Sequence, residues 1–167
     1  GKAQWDEMKE NALLATTSRS GGAFITVGHL NKVLAADSNI EIHVVGHSAG
    51  SIFLAPLVQL LATEGSIGSG PMKGKRGVGR RIATCTLWAP ACTVDLFQDS
   101  YVPVMNKKGI DRLALFTLTD KAERDDHCAN IYHKSLLYLV SNALEDQRRS
   151  VREPNGVPIL GMEKFIE

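Results

Sequence analysis

The chain has 167 residues, 44% hydrophobic and 22% charged, with a formal net charge of +1. That length suits a single domain with a sizeable core, and the composition excludes a disordered chain. The near-neutral balance provides no general field for nucleic acid or an anionic membrane. Cys85, Cys92 and Cys128 form an odd set without metal-ligand spacing, which points to reduced thiols in a cytoplasmic protein. No signal-peptide pattern is present, and no apolar run is long enough to span a bilayer.

In chain order, Ala3–Ser18 predicts a helix with a stripe of Trp5, Met8, Ala12, Leu13 and Ala15. Ala23–Ala36 predicts a second, with Phe24, Val27, Leu30, Val33 and Leu34 at three- and four-residue steps. Glu41–Val45 is short and rich in β-branched residues, as a buried strand should be. Ser51–Glu64 is apolar on most faces and predicts a buried helix, bent by Pro56. The Gly-rich, basic stretch 64–81 reads as a flexible surface loop. Its Ser69–Lys75 segment fails the phosphate-loop spacing, and no aromatic is interleaved with its cations as a nucleic-acid surface would require. Arg81–Trp88 and Arg112–Leu118 predict strands; between them, Thr93–Asn106 allows a short helix interrupted by Pro103. Asp125–Asp146 predicts a long amphipathic helix, and Val157–Leu160 a short final strand. The alternation argues for an α/β domain, with a mostly parallel sheet of about four strands and helices on both faces.

The chemistry concentrates at Gly46-His47-Ser48-Ala49-Gly50, between a predicted strand and a predicted helix. A serine flanked by glycines two residues away on each side, in a strand-to-helix turn, is the nucleophile-elbow pattern. The glycines let the outgoing helix pass close to the incoming strand, and the serine sits at a strained backbone angle. Ser48 is the candidate nucleophile, against the plainer role of capping the following helix. The Ala49 amide, at the helix N-terminus, is the candidate oxyanion donor. Such a serine needs a base. Of the five histidines, His47 reads as a packing residue of the turn, His43 as buried in its strand and His29 as a surface residue, while His127 and His133 come later in the chain and His127 is close enough to the active edge to substitute. No metal or cofactor is implied.

The order strand, GHSAG, helix, strand, strand ending in Asp120, long helix, strand resembles the C-terminal half of the α/β-hydrolase superfamily. The stretches 86–94, 113–126 and 131–145 are similar to a bacterial group within it. The resemblance implies a serine hydrolase of the carboxylic-ester type, acting on a small ester or acyl substrate through an acyl-enzyme on Ser48. Asp120 falls on the acid, with Asp125 and Asp126 as fallbacks on the same loop. The family's catalytic histidine follows its last strand, whereas here no histidine follows His133. The expectation is therefore a piece of a longer chain, inactive or nearly so by itself, with homo-oligomerisation through an exposed sheet edge. The alternative is a catalytically silent α/β domain used in interaction or assembly, with the turn kept for packing.

Overall fold

The computed structural model describes residues 1–37, 39–128, 132–146 and 156–166. Helices α1 (Lys2–Thr17) and α2 (Gly22–Ala36) precede strand β1 (His43–His47) and helix α3 (Gly50–Ala62). The short strands β2 (Glu64–Ser66) and β3 (Arg76–Val78) follow, then β4 (Ile82–Trp88), α4 (Val94–Asn106) and β5 (Ile110–Phe116). Helix α5 (Asp120–Asp125) and a turn of helix α6 (Leu136–Leu139), continuing as a π-helical turn Val140–Leu144, lie after β5.

The class is α/β. β1, β4 and β5 form a parallel sheet in the order β1-β4-β5, with His43 opposite Thr84 and His47 opposite Trp88. In the next pair, Trp88 lies opposite Phe116. Parallel neighbours need long crossovers, and α3 and α4 supply them. Helix α3 is the centre of the core: Ile52, Leu54, Ala55, Val58, Leu60 and Leu61 are all buried, packed with Cys85 and Leu87 of β4. It runs unbroken through Pro56, as α4 does through Pro103.

Among the described residues, α3 and α4 pack on one face of this sheet, and part of the other face is open. Side chains alternate along a strand; Val44, Gly46, Cys85 and Leu87 face the core, while His43, Val45, His47, Trp88, Arg112 and Phe116 are exposed on the other side. His43, expected inside its strand, is therefore at the surface, with Nδ1 hydrogen-bonded to Thr84 Oγ1 at 2.8 Å.

Among the described residues the parallel sheet has three strands, close to the about four expected. Val157–Leu160 does not extend it. Ile159 makes an isolated antiparallel bridge to Thr93, and Met162 a parallel one to Leu118. Pro158 has no amide to donate, and its carbonyl accepts from Val94 N at 2.9 Å. This segment is thereby fastened to the start of α4 instead of lying along β5. The long helix expected over 125–146 is also replaced. α5 ends at Asp125, Cys128 bridges to Tyr132, and a new helix begins at Ser135, whose Oγ accepts from Tyr138 N. The serine cap overrides the apolar periodicity on either side of it.

The Gly-rich stretch 64–81 contains a short hairpin packed on the core. β2 and β3 pair antiparallel, and Ile67 and Met72 are buried. The buried Gln59 side chain donates to Ser69 O at 2.9 Å and accepts from Met72 N at 3.2 Å. A Cβ at Gly77 would lie 2.2 Å from Thr63 O, so glycine there permits close backbone packing, not flexibility.

Candidate functional site

Among the described residues, Ser48 is one of three non-glycine residues with positive φ, at +52°, in the left-handed region that costs an L-residue about 1 kcal/mol or more. The turn is over-determined by hydrogen bonds. Ser48 N donates to Trp88 O at 2.9 Å, at the end of β4. Ser48 O accepts from Ser51 Oγ at 2.7 Å, Ser51 N at 3.0 Å and Ala91 N at 3.1 Å. Ser51 is fully buried, and its hydroxyl also accepts from Cys92 N at 3.0 Å, while its carbonyl accepts from Tyr101 Oη at 2.6 Å. Strain at Ser48 is thus held by the end of β4 and the loop behind it. The Ser48 hydroxyl makes no hydrogen bond to any described residue, and no described acceptor takes the Ala49 amide.

The two flanking glycines are not equivalent. A Cβ on Gly46 would sit 2.8 Å from Leu54 Cδ1, 3.2 Å from Leu87 Cδ2 and 3.3 Å from the Gly50 carbonyl carbon; one on Gly50 meets nothing within 4 Å. Only the first glycine is sterically required. Gly46→Ala should therefore destabilise the fold by about 1–3 kcal/mol through overpacking. Gly50→Ala, in the first turn of α3, should cost nothing or stabilise. Urea unfolding of the two variants checks this, and equal midpoints would contradict the packing described.

Ser48 lines a cleft of about 200 Å³ together with His47, Ala89, Leu118, Glu123, Asp126, Ser135, Leu136 and Leu137. A second cleft of about 270 Å³ adjoins it, sharing His47, Ala89 and Leu118 and adding Trp88, Phe116 and Thr117. His47 is thus an exposed lining residue rather than a packing residue.

Asp120 opens α5, capped by Thr119 Oγ1, but does not line the Ser48 cleft. One carboxylate oxygen accepts from the Tyr138 hydroxyl, and the other forms an ion pair with Arg124 Nε at 2.8 Å, whose N–H donates to the Tyr138 hydroxyl oxygen at 3.2 Å. Its amide donates to Glu163 Oε2 at 2.6 Å. Asp125 is paired with Lys121, and Asp126 borders the cleft with Oδ1 accepting from the His127 amide. His127 and His133 meet edge to face at 5.3 Å, and neither lines the cleft; His29 is exposed on α2.

Sequence reasoning missed Glu123. It is 1% exposed, borders the Ser48 cleft, and its Oε2 has no hydrogen-bond partner among the described residues. Burial, reinforced by the Asp120 and Glu163 charges, pushes its carboxyl up to about 7, against the pull of Lys164 and Ser135. No motif marks it; only the packing of α5 beneath Ser135 buries it. Ser51 was also missed, although it directly follows the GHSAG pattern.

Among the described residues no cluster of His, Cys, Asp and Glu could hold a metal ion, and no helix is long and apolar enough to cross a membrane. Comparison with known proteins finds no matching family model, curated protein or solved structure.

Proposed function

We propose that the chain is a serine hydrolase of the carboxylic-ester type, related to the α/β hydrolases, with Ser48 as the nucleophile. The observation that carries this is the left-handed Ser48 backbone at a parallel-strand-to-helix turn, with its hydroxyl unengaged at the edge of a cleft. Strain held in place by surrounding hydrogen bonds is characteristic of functional positions.

In the reaction, Ser48 Oγ attacks the ester carbonyl carbon while a base takes its proton. The carbonyl oxygen becomes an oxyanion facing the free Ala49 amide and the positive end of α3. Collapse breaks the bond to the alcohol, which leaves with the proton, and an acyl group remains on Ser48. Water then attacks the acyl carbon, releasing the acid and returning the proton to Ser48. Asp120 is the acid that orients the base. A carboxylate has about four lone-pair sites, so the Tyr138 hydrogen bond and the Arg124 ion pair hold the group in place and leave sites for an imidazole N–H. Ser48, Ala49 and Asp120 thus fill three of the roles, and none of the described histidines is assigned the fourth. No cofactor is invoked.

The three free thiols support a cytoplasmic setting. Burial pushes Cys85 up to about 12 and Cys92 up to about 11, which leaves both unreactive. Strand β1 is an edge of the sheet, with Val45 68% exposed, which favours self-association along that edge. The same open face favours the second reading, an interaction or assembly domain in which the serine turn serves packing alone. A fluorophosphonate probe separates the two, because it modifies an activated serine and spares one that only shapes a turn.

A further inference from the structure

The wall beside Ser48 is apolar where a surface would ordinarily be polar. Trp88, Phe116, Leu118 and Leu136 are 54%, 56%, 51% and 51% exposed, and all four line the two clefts that meet at His47, Ala89 and Leu118. The Trp88 and Phe116 rings lie 5.8 Å apart, tilted by 58°. They hold these places because they end β4 and β5 in register, one residue beyond the buried Leu87 and the half-buried Leu115. Exposed apolar groups gathered at a cleft mark a binding groove, whereas scattered ones do not.

We infer that the Trp88–Phe116–Leu118 cleft takes an apolar chain of the substrate whose reacting carbonyl sits at Ser48, so that the preferred substrate is an ester with a medium-length aliphatic group. This rests on Ser48 as nucleophile for the position of the carbonyl, but not for the binding of the chain. The cleft, at about 270 Å³, has room for several methylenes beyond the volume of one water, about 30 Å³. Among the described residues no Asp, Glu, Lys or Arg lines it, which disfavours a charged group there. The chain belongs to either the acyl or the alcohol half of the ester, and two ligand series separate these.

The test uses Ser48→Ala, which keeps the groove and removes turnover. Butanoate, hexanoate and octanoate, and the matching primary alcohols, are titrated while Trp88 emission is read, with Trp88→Phe as the control for Trp5. The dissociation constant is expected to fall about fourfold per methylene in one series. It should flatten with Phe116→Ala, a half-exposed position whose truncation leaves the core intact. A response independent of chain length in both series, or one undiminished by Phe116→Ala, overturns the inference. Alkyl fluorophosphonates of graded length on the unaltered protein keep the two claims apart. Ser48 labelling without length dependence sinks the apolar groove alone; length-dependent Trp88 quenching with Ser48 unlabelled sinks the nucleophile alone.

Discussion

In a protein that carries this sequence together with its base, Ser48→Ala is expected to lower ester hydrolysis by about 10⁶, the scale on which nucleophile removal acts in serine hydrolases, while leaving stability within about 0.5 kcal/mol of the parent. The two halves of this expectation come from different features. Activity falls because the attacking oxygen is gone. Stability holds because that oxygen makes no hydrogen bond to a described residue, and alanine inherits the same left-handed backbone. Ser48→Gly sharpens the point: glycine has no left-handed penalty, so this variant should be more stable than Ser48→Ala by about 1 kcal/mol. Steady-state hydrolysis of an aryl ester, read beside urea unfolding, checks both. Full activity in Ser48→Ala would instead support the assembly-domain reading.

Glu123→Gln is expected to change how stability depends on pH. The Glu123 carboxyl lies at about 7 in the fold, against an ordinary value of 4.5. Between these values the folded protein holds a proton that the unfolded chain has lost, so stability falls as pH rises through the window. At pH 8 the full cost of a buried, half-partnered carboxylate is present, on the order of 3 kcal/mol. Below pH 4.5 the group is neutral in both states and this cost vanishes. Relative to the parent, Glu123→Gln should therefore gain about 3 kcal/mol between pH 4.5 and pH 8. Urea midpoints across that range give the answer, and a constant difference between the two proteins would refute the burial of a charge at this position. Asp120, Glu163 and Lys164 are present in both proteins, but only the parent has a Glu123 charge for them to act on.

Much of the fold was legible because its elements are regular. The apolar steps from Phe24 to Leu34 and the β-branched run before Gly46 report α2 and β1 through periodicity alone. The failures have local causes. Ser135 restarts a helix that the spacing of Leu136, Leu139 and Val140 would have extended backwards. Gly77 looks like a mark of flexibility, yet it is a point of backbone contact with Thr63. The open sheet face could not be read either, since His43 and Val45 suit an exposed strand surface as well as a covered one. At the site, Ser48 was legible from its flanking glycines, although only Gly46 proves to be sterically demanded. Glu123 was not, because its burial comes from tertiary packing between α5 and the segment around Ser135.

The central claim is that Ser48 is an activated nucleophile, and covalent labelling followed by peptide mapping tests it most directly. The protein carrying this sequence is treated with a fluorophosphonate under native conditions, with a denatured sample beside it. One adduct is expected, on the peptide containing Ser48, formed only by the folded protein and absent from Ser48→Ala. A folded protein that takes no label, or takes it on another residue while Ser48 stays free, would contradict it.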